Sequence, residues 1–96
     1  MQVGGEVSPP TPLYTPSAPY TEQARRAHLQ GTVVLAIVID EQGQVTKLQE
    51  ISKPLGMGLD ESAFQTVGTW KFKPAQFRGM PVPVRVNVQV NFHLQN

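Results

Sequence analysis

The residues Val-Pro-Val-Arg-Val-Asn-Val-Gln-Val-Asn-Phe-His-Leu, numbered 82–94, decide the fold of this 96-residue chain. From residue 84 onward, apolar side chains alternate strictly with polar ones. Such alternation is typical of a β-strand with one face on a core and the other in water. Pro81 and Pro83 lack the N–H that a central strand must donate, so an edge position is predicted for this strand. An edge strand leaves main-chain N–H and C=O groups open to another chain.

Composition excludes several classes of function. The net charge is +1, from eight basic and seven acidic residues, which argues against a nucleic-acid partner. There is no cysteine, so neither a disulfide framework nor a thiolate site can form. The longest apolar run covers residues 33–39 and is too short to span a bilayer. The chain is therefore expected to be either cytosolic or a soluble part of a protein anchored upstream.

The first 16 residues differ in composition from the rest. They are rich in Pro, Ser, Thr and Gly, and proline biases both itself and its predecessor toward extended geometry. We predict a flexible Pro-rich linker over residues 1–16 and a folded domain over residues 17–96.

Within the domain, residues 21–30 are good helix formers, with Thr21 as the predicted N-cap and Gly31 as the predicted stop. Residues 32–40 are apolar on both faces, which indicates a central strand. Residues 40–43 then form a hairpin loop with Gly43 in the left-handed conformation. The returning strand, residues 44–52, has apolar residues three apart rather than two, which predicts a bulge.

A second helix is predicted over residues 59–70, because Leu59, Ala63, Val67 and Trp70 recur at helical spacing. Residues 72–77 continue as extended chain, and Arg78-Gly79 turns into the final strand. The predicted fold is α+β: a three-stranded antiparallel sheet with two helices packed on one face, in the order α-β-β-α-β.

Catalytic and metal-binding patterns are missing from the sequence. His28 and His93 lack metal-ligand spacing, and the acidic pairs fall where a turn and a helix start would place them. We therefore predict no catalysis, no metal and no cofactor.

Eight short motifs follow one another along the chain: Pro19-Tyr20, Ala24-Arg25, Gly31-Thr32-Val33, Asp40-x-x-Gly43-x-Val45, Leu59-Asp60-x-x-Ala63, Trp70-Lys71-Phe72-Lys73-Pro74-Ala75, Gly79-x-Pro81-Val82 and Val90-Asn91-Phe92. In this order, and over about residues 17–94, they resemble the C-terminal domain of TonB-family energy transducers. One departure is that Tyr20 lies between Pro19 and Thr21, whereas the family commonly has Tyr-Pro, often with Gln ahead of the Tyr.

The resemblance implies a periplasmic domain of a protein anchored in the inner membrane. Such a domain grips the TonB box, a short peptide of outer-membrane transporters, by β-strand addition and passes on energy of the proton-motive force for siderophore or other nutrient uptake. Inner-membrane proton-channel partners would be contacted through an N-terminal segment missing from this sequence. The final strand is the expected docking edge, with Tyr20 and neighbouring residues lining one end. The predicted peptide-binding residues are Tyr20, Val84, Arg85, Val86, Asn87, Val88, Gln89, Val90 and Asn91.

Two alternatives to this function stay open at this point. The first is a structural or sensory periplasmic module of the same fold, attached to another membrane protein. The second is a small enzyme or ligand carrier, which would need a concave site with convergent polar groups.

Self-association is a further expectation. Because an open edge strand can pair with a strand of another copy, we predict a homodimer formed by strand exchange.

Overall fold

The central sheet of the molecule is built on one long buried strand. The structure, a computed structural model, describes residues 6–94. In chain order, the secondary-structure elements within those residues are β1 (Val7–Ser8), β2 (Thr11–Tyr14), α1 (Glu22–Arg26), β3 (Gly31–Ile39), β4 (Val45–Glu50), α2 (Leu59–Val67), β5 (Lys71–Lys73), β6 (Ala75–Phe77), β7 (Met80–Val82) and β8 (Val84–Phe92).

Strand β3 is the middle of a three-stranded antiparallel sheet with the order β4-β3-β8. It pairs with β8 along its whole length, from Gly31 opposite Phe92 to Ile39 opposite Val84. The predicted central position of this strand is confirmed, and the α+β class with two helices and an antiparallel sheet is confirmed as well. The apolar side chains on both faces of β3 agree with its central position in the sheet. A strand that is apolar on both faces is typical of the buried middle of a sheet, where strands pair with it on both sides.

The β3–β4 hairpin has the predicted turn and the predicted bulge. Ile39 is opposite Val45 whereas Val38 is opposite Lys47, so Thr46 is the extra residue. Gly43 has a φ of 79°, and the side chain of Asp40 accepts hydrogen bonds from the main-chain N–H groups of residues 42 and 44. The carboxylate thus satisfies the donors of the turn, as Asp commonly does there.

The tip of this hairpin contacts the chain after α2. The carbonyl of Gly43 accepts a hydrogen bond from Phe72 N at 2.9 Å, and Gln44 bridges to Lys71. A Cβ added to Gly43 would lie 1.7 Å from the carbonyl oxygen of Phe72. Glycine is therefore required here for space as well as for backbone conformation.

Helix α1 begins where predicted and ends earlier. The Thr21 side chain accepts a hydrogen bond from Ala24 N, which confirms the N-cap. The helix ends at Arg26 rather than near Gly31, because His28 adopts a left-handed φ of 54°. Leu29 N then bonds to Ala24 O and His28 N to Arg25 O, which is the hydrogen-bond pattern of a Schellman motif.

Helix α2 ends at Val67, with Gly68 as its C-cap, so the prediction that it reaches Trp70 is wrong. Leu59, Ala63 and Val67 are fully buried and belong to the same core cluster as Ala24 of α1 and the inner residues of β3. Trp70 lies beyond the helix and packs partly buried against that cluster, with its ring tilted on Phe72 at 6.3 Å between centroids.

The segment of residues 6–19, called the lead-in below, is attached to the domain by strand pairing. Strand β1 pairs with β6 in a small sheet of order β1-β6-β7, and β2 pairs with β5. Val7 is buried among core residues. A Pro-rich chain can form these strands because proline tolerates edge positions and its bias toward extended geometry suits a strand.

Three further contacts secure the lead-in. Glu6 forms an exposed ion pair with Arg78 at 3.2 Å. Trp70 Nε1 donates to the Pro16 carbonyl at 3.0 Å, and Ser62 Oγ donates to the Pro19 carbonyl at 2.6 Å. The hydrogen bonds from Trp70 and Ser62 are partly buried, and they attach the lead-in to the domain.

Replacing Trp70 with Phe is expected to loosen the lead-in while the central sheet stays folded. The change removes the hydrogen bond to Pro16, worth about 1 kcal/mol. Hydrogen exchange should show roughly fivefold faster exchange at the amides of Thr11, Leu13 and Tyr14 and unchanged protection in β3. Thr69→Val, which deletes the nearby Thr69–Thr66 hydrogen bond, is the matched control. Unchanged exchange at residues 11–14 in Trp70→Phe would contradict this role of the indole.

No helix among residues 6–94 is long and apolar enough to cross a membrane.

Candidate functional site

One edge of β8 has no strand beside it among the described residues. The strand pairs with β3 on one side only, and it forms one edge of the β4-β3-β8 sheet. On the open side, alternate residues of an edge strand present unpaired N–H and C=O groups. Pro83 immediately precedes the strand. The edge position that the prolines predicted is confirmed.

The side chains of β8 divide between the two faces as the alternation predicted. On the outer face, Arg85, Asn87, Gln89 and Asn91 are exposed. On the inner face, the side chains contribute to the core. Of these, Val84, Val90 and Phe92 are buried, whereas Val86 and Val88 are half-buried.

Asn91 differs from the other outer-face residues because it already has a partner. Its Oδ1 accepts a hydrogen bond from Thr32 Oγ1 at 2.7 Å, across the β3–β8 pair. Its side chain therefore links β8 to β3 near the C-terminal end of β8.

A small cleft of about 230 Å³ lies beside the same end of β8. The lead-in forms one wall of this cleft, and Trp70 contributes as well. The lining residues are Thr15, Pro16, Ser17, Ala18, Trp70, Gln89, Val90 and Asn91. Sequence reasoning missed the contribution of residues 15–18 because nothing in a Pro/Ser/Thr-rich segment indicates which surface it will follow.

Tyr20 is built into the end of the core. Its hydroxyl donates to the Leu29 carbonyl at 2.6 Å, and its ring meets that of Phe92 edge-on at 5.6 Å between centroids. It thus lies near the end of β8, but its polar group is already used. Its contact with a peptide remains a prediction.

The outer face of the sheet carries a shallow depression of about 580 Å³. Lys47 and Arg85 flank Val38 on either side, because both are its cross-strand partners. Among residues 6–94, no group of three His, Asp or Glu side chains is arranged to hold a metal ion.

Glu50 and Asp60 bring two carboxyl groups together near the start of α2. Both oxygens of Asp60 accept main-chain hydrogen bonds, from Leu55 N at 3.0 Å and Gly56 N at 2.7 Å. When Glu50 is a carboxylate, its buried Oε2 has no hydrogen-bond donor among the described residues. A proton on Glu50 supplies the donor that the pair of carboxyl groups otherwise lacks.

The two carboxyl groups titrate in opposite directions. Hydrogen bonding with Asp60 is the main reason that the pKa of Glu50 is raised to about 7; burial and the charges of Asp60 and Glu61 raise it further. Burial alone would raise the pKa of Asp60, but hydrogen bonds from Glu50, Gly56 and Leu55 outweigh it and lower that pKa. Glu50 therefore holds the shared proton.

Stability is expected to fall as pH rises from about 4.5 to about 7. Because the folded-state pKa of Glu50 is raised, its contribution is complete below its ordinary value and is lost as pH passes the raised one. The loss should be about 1 kcal/mol, since partial exposure screens the interaction. Asp60 acts oppositely, and only as pH falls below its ordinary value of 3.8.

Urea unfolding at several pH values tests this expectation. Glu50→Gln keeps a donor toward Asp60 and should make stability nearly independent of pH in that window. Glu41→Gln, at an exposed carboxylate in the hairpin loop, should leave the slope unchanged. A wild-type slope equal to that of Glu50→Gln would contradict the proton assignment.

The family described as Gram-negative bacterial TonB protein C-terminal matches residues 16–94. A protein TonB of Vibrio cholerae serotype O1 is 36% identical over 76 residues, which are 79% of this chain and 31% of that protein. A protein TonB of Xanthomonas campestris pv. campestris is 35% identical over 75 residues, covering 78% of this chain and 34% of that protein. The chain thus spans about a third of the length of these relatives.

The fold is also similar to a solved structure. The solution NMR structure of the Pseudomonas aeruginosa TonB CTD superposes with a TM-score of 0.75 at 18% identity, covering 97% of this chain and 91% of that one. At this identity, the likeness establishes the fold alone. The match over residues 16–94 establishes the family: the chain belongs to the C-terminal domains of Gram-negative bacterial TonB proteins.

Proposed function

We propose that this domain is the periplasmic peptide-binding part of an energy transducer. It docks the TonB box of outer-membrane transporters by strand addition at the open edge of β8 and passes on energy of the proton-motive force for nutrient uptake. The observation that carries the proposal is the main-chain edge of a nine-residue strand, paired on one side only in the part of the chain described.

Strand addition suits a domain that must grip an extended peptide. Main-chain hydrogen bonds provide affinity with little demand on the peptide sequence, and alternate side chains adjust specificity. The outer-face residues Arg85, Asn87 and Gln89 would lie beside the incoming strand, as cross-strand neighbours do. The cleft beside Gln89 and Val90 would receive one end of the peptide.

The proposal assigns no enzymatic activity and no cofactor to this domain. In the full-length protein, the domain would lie in the periplasm and be anchored in the inner membrane. Contact with inner-membrane proton-channel partners would fall to a part of the protein outside this sequence. These assignments rest on the family, of which the chain represents one domain.

A homodimer is a second proposal for the same edge. Two copies could pair through their open β8 edges, or exchange strands, because an edge strand is a template for any extended chain. Analytical ultracentrifugation over a range of concentrations tests this, and a monomer at all concentrations would contradict it.

An NMR titration of the labelled domain tests peptide docking. The ligands are peptides from the N-terminal regions of outer-membrane transporters of the same organism. We expect shifts concentrated at residues 84–91 and around Tyr20, weakened by a proline placed in the middle of the peptide. No shift with any peptide at millimolar concentration would favour the alternative, a structural or sensory periplasmic module.

A further inference from the structure

The inner face of β8 is less buried in its middle than at its ends. Val84 and Phe92 are each 1% exposed and Val90 is 7% exposed, whereas Val86 and Val88 between them are half-buried. These two valines form a patch that we call the apolar shelf.

On the β3 side, the apolar shelf is next to buried residues. Across β3, Val86 is opposite Ile37 and Val88 is opposite Leu35, and both of these partners are fully buried. The sheet and the core therefore cover the shelf from the β3 side. On the other side of β8 no strand lies among the described residues, so a strand added there would lie next to Val86 and Val88.

The open edge restricts what can cover the shelf. A helix or a rounded surface would leave the free N–H and C=O groups of β8 without partners, whereas an extended chain satisfies them. In an added strand, alternate side chains point to the same face, and directly opposed residues have Cβ atoms about 5 Å apart. Residues i and i+2 of the added strand would therefore lie beside Val86 and Val88.

Resting on the proposed docking at β8, we infer that the apolar shelf selects extended peptides that carry two apolar side chains at positions i and i+2. These side chains complete the inner face of the sheet over Val86 and Val88. The residue between them lies on the outer face, beside Asn87, and is free to be polar.

A pair of peptides with identical composition tests this requirement. One has the core Ser-Val-Ser-Val-Ser and the other Ser-Val-Val-Ser-Ser, with the same flanking residues. Either strand can pair its main chain with β8, but only the first places both valines on the inner face. We expect the alternating peptide to bind about tenfold more tightly, measured by NMR titration, because one more valine is buried.

Variants of the protein assign the effect to the apolar shelf. Val86→Thr/Val88→Thr keeps the shape and the β-branching but adds hydroxyls, and should reduce the difference between the peptides to about twofold or less. Val34→Thr alters a partly buried valine on the other face of β3 and should retain the tenfold difference. If the double variant fails to fold, the affinities of the two peptides for the unaltered protein still test the inference.

The outcomes separate the inference from the proposed function. Equal affinity of the two peptides, with shifts along β8, would overturn the selection by the apolar shelf and leave strand docking intact. No binding of either peptide would overturn both. Burial of Val86 and Val88 in a dimer without peptide would assign the shelf to a second copy and overturn the inference.

Discussion

Replacing Gly43 with alanine is expected to lower the free energy of unfolding by about 3 kcal/mol or more. Two costs add at this position. The backbone has a φ of 79°, and the new Cβ would lie 1.7 Å from the carbonyl oxygen of Phe72. Relief of that clash would separate the hairpin tip from β5 and break the Phe72–Gly43 hydrogen bond.

Gly79 offers a matched control. It has a similar φ of 81°, but a Cβ there would meet no atom within 4 Å. Gly79→Ala should therefore lose only the conformational cost, about 1 kcal/mol. Urea unfolding of both variants measures the difference. Equal losses for Gly43→Ala and Gly79→Ala would show that the hairpin does not pack against the chain after α2.

Replacing Phe92 with alanine should cost about 3–5 kcal/mol, as truncation of a buried Phe does. Phe92 is among the largest fully buried side chains, and it is opposite Gly31, which has no side chain to fill the space. It also supports Tyr20 edge-on. The truncation should therefore loosen the packing both at the end of β8 and around Tyr20.

Two milder variants separate packing from hydrogen bonding at this end. Phe92→Leu keeps most of the volume and should recover more than half of the loss. Tyr20→Phe keeps the ring contact and removes only the bond to Leu29, at a cost of about 1 kcal/mol. Thermal unfolding measures all three variants. A loss below about 1 kcal/mol for Phe92→Ala would contradict the burial of this residue.

The main sheet could be predicted from the sequence because its signals are local. Alternation over residues 84–92 is incompatible with a helix, and two-faced apolarity makes residues 33–39 a central strand. Asp40 and Gly43 together dictate a turn, since one supplies the acceptor and the other the left-handed backbone. The order of the elements then leaves β8 at an edge.

The parts that sequence reasoning missed depend on tertiary contacts. The strands β1 and β2 are short and lie in a Pro-rich segment, and they pair with residues more than 55 positions away. The end of α1 is fixed by a histidine in a left-handed conformation that glycine normally adopts. Glu50 meets Asp60 only because the chain between them folds back, and no spacing rule reveals this.

The candidate site was predictable in outline and not in detail. Alternation identified which side chains of β8 lie on each face. It gave no sign that Val86 and Val88 would be less buried than Val84, Val90 and Phe92, because the burial of each side chain depends on tertiary packing. Tyr20 lies near the end of β8, and nothing in the sequence indicated that its hydroxyl donates a hydrogen bond to the Leu29 carbonyl.

Alternate N-methylation of a docking peptide tests strand addition at β8 most directly. In an added strand, every second residue directs its N–H and C=O toward β8, and the others face water. Two versions of one peptide, methylated at odd or at even positions, have the same side chains. We predict that one version loses affinity by about a hundredfold or more, while the other binds like the unmodified peptide, with shifts along residues 84–91. Equal binding by both versions would contradict docking through the main chain of β8.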